Sequence, residues 1–353
     1  MIKEAIQKVV NRQNLNETEM IEVMTEIMSG EATEAQIAAF ITALRMKGET
    51  VEEITAAAKV LRQFVTPVKL TKGKLVSIGR KEVTNIDYDT VTDTCGTGGD
   101  GARTFNISTA TAFVVAGCDV LVAKHGNRSV SSFCGSADVV ERLGIKLDIT
   151  KEQAEKCLSE VGIVFLFAPV WHPAMKYAIG PRRQIGIRTI FNIIGPLANP
   201  AFANTQLLGV YSEELVKPIT EVLKNLGTKR AFVVHGKDTI DEVSITGETV
   251  VGELNNGEIK VYTVTPEQFN IKRANIDTLK GGDAEQNAKI IIEILSGKDK
   301  SARRDIVVLN SAFALVAAGR VKTVEEGMLL AAESIDRGYA LHKLELLKQY
   351  TNG

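Results

Sequence analysis

Through the first 67 residues apolar side chains return only at helical spacing. Ile37, Phe40, Ile41 and Leu44 stand three and four positions apart, and Gly48 follows as a stop. Ile54, Ala57, Ala58 and Leu61 repeat the pattern before Pro67. Asn16 with Glu19, Thr33 with Gln36 and Thr50 with Glu53 have capping-box spacing, in which each side chain of a pair satisfies a backbone amide beside the other. This stretch predicts a small bundle of helical hairpins.

Near residue 90 the texture changes. Short apolar runs at 120–123, 163–167, 206–211, 231–234 and 306–309 read as strands, separated by helical stretches such as 213–226 and 284–295. The alternation predicts an α/β domain with a central, mostly parallel sheet flanked by helices. The run 249–264 breaks at Asn255, Asn256 and Gly257 and has hairpin character. Helices are expected again over about 324–350. Between the two textures, residues 69–89 are polar and weakly patterned, a loop or a short hairpin. The predicted fold class is therefore α/β, with a helical domain at 1–67 and an α/β domain at 68–353.

Composition narrows the function classes. The chain has 353 residues, 44% hydrophobic and 24% charged, enough to bury a core. With 42 basic and 43 acidic residues the formal net charge is -1, which argues against a wholesale nucleic-acid or membrane-surface binder. No stretch approaches the roughly 20 apolar residues of a membrane span, and the N-terminus lacks a signal-length apolar run. A soluble, cytoplasmic protein is expected. Cys95, Cys118, Cys134 and Cys157 include no C-x-x-C pair, and the four histidines are scattered, so neither a zinc nor a redox centre is predicted.

Four segments concentrate chemistry. The first runs from Asp93 through Gly96, Thr97, Gly98, Gly99, Asp100 and Gly101 to Asn106, Ile107, Ser108 and Thr109 at a predicted helix start. Glycines let a backbone approach an anion, and a helix N-terminus adds partial positive charge. A plain tight turn before a capped helix would look much the same. The loop is neither a Walker loop nor a dinucleotide fingerprint. The second is Lys124, His125, Gly126, Asn127, Arg128, Ser129, Val130, Ser131 and Ser132, leaving a predicted strand at the sheet edge where α/β proteins bind ligands. So many donors in nine residues predict a second anion cradle.

The third is the adjacent pair Asp241 and Glu242, which would point to different sides if extended and so could serve two magnesium ions. In isolation it reads better as an exposed acidic pair. The fourth holds Trp171, His172, Pro173, then Arg182, Arg183 and Arg188, then Gly195, Pro196 and Asn199. Three arginines in seven residues could grip a carboxylate by paired N–H donors, and His172 could line an aromatic pocket. Surface arginines on a helix are the blander alternative.

Taken in order, these motifs resemble the anthranilate phosphoribosyltransferase family. The resemblance rests on Gly-Thr-Gly-Gly-Asp at 96–100, Asn-Ile-Ser-Thr at 106–109, Lys-His-Gly-Asn-Arg-Ser at 124–129 and His-Pro-Ala-Met at 172–175. Arg-Thr-Ile-Phe-Asn at 188–192, Gly-Pro-Leu-Ala-Asn-Pro at 195–200 and Asp-Glu at 241–242 continue it, and Ala-Thr-Glu-Ala-Gln-Ile-Ala-Ala-Phe at 32–40 fits as well. It spans nearly the whole chain. It implies transfer of phosphoribose from phosphoribosyl pyrophosphate to the amino group of anthranilate, a step of tryptophan biosynthesis. It also implies a helical domain that takes in helices from about 171–191, a cleft between the domains, and a homodimer through the helical domain. Association with anthranilate synthase is left open.

Carried over by motif, the resemblance assigns phosphoribosyl pyrophosphate to Gly96, Gly99, Asp100, Thr104, Asn106, Ile107, Ser108 and Thr109, and to Lys124 through Ser132 with Ser136. It assigns anthranilate to Gly96, Asn127, His172, Arg182 and Pro196. Ser108, Asp241 and Glu242 would hold two Mg2+ ions through pyrophosphate, and Lys124, Asn127 and Arg182 would act most directly in catalysis. Two departures stand out: 69–89 is longer than the usual family linker, and Cys95 replaces a more usual aliphatic residue. The competing readings are a pyrimidine nucleoside phosphorylase-like enzyme, whose glycine loop ordinarily begins Lys-His-Ser, and a non-catalytic nucleic-acid-binding relative, which should lack the acidic pair.

Overall fold

The computed structural model describes residues 1–71, 75–76, 87–128 and 134–353. Four helices come first: α1 (Ile2–Val10), α2 (Glu17–Ser29), α3 (Glu34–Lys47) and α4 (Val51–Gln63). All three capping boxes form, at Asn16, Thr33 and Thr50. Glu53 does more than cap. It is fully buried, accepts the Leu15 N–H at 2.9 Å, and pairs with Lys47 at 2.9 Å, tying α4 to α3 and to the α1–α2 connection.

The rest is α/β. Its elements are β1 (Val91–Gly96), α5 (Ile107–Ala116), β2 (Leu121–Gly126), α6 (Ser136–Arg142), α7 (Lys151–Lys156), β3 (Ile163–Phe167), α8 (Ala168–Trp171), α9 (Lys176–Ile185), α10 (Phe191–Ile194), β4 (Thr205–Gly209) and α11 (Val216–Asn225). Then come β5 (Arg230–Gly236), β6 (Thr249–Asn255), β7 (Glu258–Val264), α12 (Ala284–Leu295), α13 (Ala302–Ala317), α14 (Val324–Asp336) and α15 (Tyr339–Asn352). The strands form one seven-stranded sheet in the order β3-β2-β1-β4-β5-β6-β7. The first five are parallel, and the β6–β7 hairpin adds antiparallel strands at one edge. Asn256 and Gly257, both at positive φ, make the predicted hairpin turn.

Strand alternation divides the core between two faces. Leu207, Phe232 and Val234 join the helices α5, α12, α13 and α15 in one cluster. Leu208, Ala231 and Val233 face the other way, onto α11 and the N-terminal helices. That second cluster also takes in Ala174, Ala178 and Phe191, and α9 packs on α2 and α3.

One predicted element is wrong. The apolar run 306–309 is not a strand but lies inside α13, where all sixteen residues are helical and Ile306–Ala317 is buried throughout. A helix buried on every side has no polar stripe, so a four-residue window of it cannot be told from a core strand. Of the segment 69–89, residues 72–74 and 77–86 lie outside the described residues.

Candidate active site

Four of the five parallel strands, β1, β2, β4 and β5, end in glycine, and the motif segments gather at those ends. Gly96 and Gly209 are register partners across β1 and β4. Residues 240–242 lie directly over this pair. A Cβ on Gly209 would come within 1.6 Å of the Asp241 carbonyl oxygen, and one on Gly96 within 2.4 Å of its Oδ2. Bare backbone at both positions lets the acidic segment rest on the sheet edge.

Asp241 and Glu242 are not in a strand, so the alternation expected of an extended pair does not apply to them. Asp241 Oδ2 accepts the Gly98 N–H at 2.9 Å, at the turn of the glycine loop. The Glu242 carboxyl is buried and lies on the Lys124 and Ser108 side of the site. Asp100 joins them, with Oδ2 at 3.4 Å from the Asp241 N–H. Burial raises the Asp241 carboxyl to about 7, with the Asp100 charge as the next cause. Burial, then Asp241, holds Glu242 well above the usual carboxyl range. Crowded acids against amides and a hydroxyl form a hard-oxygen donor set that a divalent cation would relieve. Among the described residues no three carboxylate, imidazole or thiol groups are placed to hold a metal ion by themselves.

Lys124 is not a surface cation. It is buried, and its Nζ donates to the Thr94 carbonyl and to Ser108 Oγ, the latter at 3.2 Å. It thus sits against the end of β1, between Asp93 and Glu242. Asp93 is fully buried and locked from both sides: Oδ1 accepts the His125 N–H at 3.1 Å and Oδ2 accepts Asn199 Nδ2 at 2.7 Å.

His125 and His172 form a buried pair, with Nε2 atoms 3.2 Å apart. His125 Nδ1 lies 3.2 Å from the Gly195 carbonyl, which can only accept. His125 therefore carries its proton on Nδ1, and His172 must donate from Nε2. Burial drives His125 down to about 3 and His172 to about 4, so both are neutral at ordinary pH.

The three arginines separate. Arg182 is largely buried, lies over the Phe191 ring at 5.3 Å, and has no ion pair among the described residues. Arg188 donates to the Gly99 carbonyl and covers the Tyr211 ring at 4.5 Å. Arg183 is exposed. In the second cradle Asn127 is exposed, whereas Arg128 pairs with Asp138 at 2.5 Å and Glu141 at 3.1 Å. Ser136 Oγ donates to the Asn127 carbonyl at 3.3 Å. Ser129, Val130, Ser131 and Ser132 lie outside the described residues. Asn106, at the start of α5, does not cap it. Its Oδ1 accepts Asn287 Nδ2 from α12 at 3.0 Å. Thr104 makes an isolated bridge to Lys280, and the Pro196 carbonyl accepts Gln206 Nε2 at 2.8 Å.

Comparison with known proteins gives one answer over the whole length. Residues 88–341 match the a/b domain of a glycosyl transferase family, and residues 3–65 match the helical bundle domain of such a family. The chain is 58% identical to anthranilate phosphoribosyltransferase of Geobacter sp. (strain M21) over 100% of its own length and 99% of the relative's. Against the enzyme of Geobacter sulfurreducens identity is 59%, with 100% of both chains covered. The chain belongs to the anthranilate phosphoribosyltransferase family. Among solved members of that family, the Thermus thermophilus structure matches with a TM-score of 0.89 at 38% identity, covering 99% of both chains. The Saccharomyces cerevisiae structure in complex with PRPP and Mg matches with a TM-score of 0.87 at 27% identity, covering 99% of this chain and 98% of that one. For the family member described here, sequence reading placed Asp93 and Asn199 in their motifs without a role and missed the buried polar partners Gln206 and Asn287.

Proposed function

We propose that the strand-end cluster is the centre at which this chain performs its family's reaction. Phosphoribose passes from phosphoribosyl pyrophosphate to the amino group of anthranilate, releasing pyrophosphate. The observation that carries the reading is the seat of Asp241 and Glu242 over the Gly96–Gly209 notch, with Asp241 on the Gly98 amide of the glycine loop and Glu242 beside the Lys124 charge.

In this reading the loop amides of Gly96 to Asp100, the α5 turn from Asn106 to Thr109 and the donors from Lys124 onward bind phosphoribosyl pyrophosphate. Ser108, Asp241 and Glu242 would hold two magnesium ions, which would supply positive charge for departing pyrophosphate. Buried Lys124 adds a fixed positive charge at the end of β1. Arg182, an unpaired guanidinium on a rigid aromatic face, receives the anthranilate carboxylate and orients its amine. Asn127 supplies a further hydrogen bond. His172 and Pro196 line the approach. The aromatic amine is largely unprotonated near pH 7, so no strong general base is assigned. The His pair agrees with that, since burial makes both rings weak bases.

We take residues 1–67 with about 171–191 as one domain and 68–353 as the other, with a homodimer through the helical domain and a cytoplasmic setting. The shared packing of α9 with α2 and α3 supports the discontinuous boundary. Among the described residues, no helix is long and apolar enough to cross a membrane. The test is the loss of anthranilate fluorescence with phosphoribosyl pyrophosphate and magnesium, with and without chelator. Metal-dependent loss is expected. A stable signal from folded protein would overturn the reading and lead to phosphorolysis of pyrimidine nucleosides as the next assay.

A further inference from the structure

The acidic pair lies in the connection 237–248 between β5 and β6, which has no strand partner for its backbone. Yet Ile240, Val243 and Ile245 are fully buried there. Buried amides without partners are costly, so something must stand in for the missing strand. Asn310 does so. It is fully buried in the middle of α13. Its Oδ1 accepts the Val243 N–H at 2.9 Å, and its Nδ2 donates to the Val243 carbonyl at 2.9 Å. The second amide hydrogen goes to the Ile306 carbonyl of its own helix, also at 2.9 Å, which fixes the side chain's rotation. One carboxamide thus pairs with both backbone groups of a single residue, as a neighbouring strand would.

Val243 immediately follows Glu242. The pair is therefore held on three sides: by Gly209 against the Asp241 backbone, by the Gly98 amide on the Asp241 carboxylate, and by Asn310 on the adjoining Val243. Asp100, Asp241 and Glu242 crowd together at this point. A tether here has to fix the segment without competing for the cation. A neutral amide bound to backbone does both, whereas a lysine or arginine in its place would stand in for the metal.

We propose that Asn310 is a positioning residue for the metal-binding pair, acting from α13 through the Val243 backbone and touching neither substrate nor ion. The inference rests on the assignment of magnesium to Asp241 and Glu242. Removing such an outer support typically costs about 10- to 100-fold in metal affinity or activity.

The experiment compares wild type, Asn310→Ala, Asp241→Asn and Ser334→Ala. Ser334→Ala is a control that loses a buried bond to the Val114 carbonyl, 3.0 Å, on another helix. Two readouts are taken: magnesium dependence of turnover at saturating substrates, and hydrogen exchange of the 237–248 segment in the metal-free protein. Asn310→Ala is expected to raise the half-saturating magnesium concentration about tenfold or more, with turnover recovering at excess magnesium and the anthranilate KM unchanged. It is also expected to speed exchange in that segment, while Ser334→Ala changes neither. Should Asn310→Ala not fold, Asn310→Ser is read by the same criteria. A wild-type magnesium midpoint, or an exchange change no larger than the control's, overturns the role of Asn310. If Asp241→Asn also keeps a wild-type magnesium midpoint, the metal assignment itself is what fails.

Discussion

Arg182 offers the sharpest test of the substrate assignment, because its surroundings fix what its loss should and should not do. The guanidinium is largely buried, rests 5.3 Å from the Phe191 centroid, and faces no carboxylate among the described residues. Burial pulls its pKa below the ordinary arginine value. Hydrogen bonds to charged groups contribute about 1.5–3 kcal/mol each. Loss of a paired grip on a carboxylate at this depth should therefore cost about 3 kcal/mol, or roughly 100-fold in affinity. Arg182→Ala is expected to raise the anthranilate KM by that factor and leave the phosphoribosyl pyrophosphate KM within about twofold. Arg182→Lys keeps the charge but not the fork and should fall between. The free protein should hardly notice. Losing the stacking contact costs about 0.5–1 kcal/mol, and relief of an unpaired buried charge offsets it. The assay is initial-rate anthranilate fluorescence at varied anthranilate, with urea unfolding as the stability control. An unchanged anthranilate KM in folded protein refutes the assignment. A large stability loss with an unchanged KM would make Arg182 a structural residue.

Other outcomes follow from the same geometry. Asp241→Asn with Glu242→Gln should lower turnover at low magnesium by about 100-fold or more, and near-normal rates would remove the metal assignment. His172 has a folded pKa of about 4, below its unfolded value, so its contribution to stability is complete above about 6.5 and is lost as pH falls toward 4. Between pH 7 and pH 5 this amounts to about 2 kcal/mol, so His172→Gln should flatten the acid side of the stability curve, measured by urea midpoints. A wild-type slope in the variant would contradict a buried neutral imidazole. Arg188→Ala frees the Gly99 carbonyl and uncovers Tyr211. It should raise the phosphoribosyl pyrophosphate KM several-fold with little change in stability, and unchanged kinetics would mean that the Arg188 contact does not order the glycine loop.

What was legible in the sequence was what sequence periodicity and turn chemistry encode locally. The three capping boxes, the hairpin at Asn256 and Gly257 and the helical stretches at 213–226 and 284–295 needed no tertiary information. Ile306 misled because α13 is buried on all sides and lost the period that marks a helix. The site was legible as motifs, not as wiring. Lys124 reads as an exposed phosphate ligand, and only the fold puts its ammonium on the Thr94 carbonyl and Ser108. Arg128 reads as part of a cradle, and only α6 supplies the acids that take it. Asn287 and Asn310 carry no sequence signal at all, since an asparagine inside an apolar helix becomes meaningful only when its partner backbone is known.

The notch formed by Gly96 and Gly209 has a consequence for when the centre comes into being. Their strands are joined at a separation of 113 positions, as Thr92 and Thr205 are. Neither strand alone offers a seat for Asp241; the seat exists only once this long-range pairing has closed and 240–242 has been laid across it. Contacts of such separation form late, after loop closure has been met by other contacts. Ligands of the acidic pair therefore have nothing to grip in the early chain, and their effect should be to slow unfolding while leaving the folding rate alone.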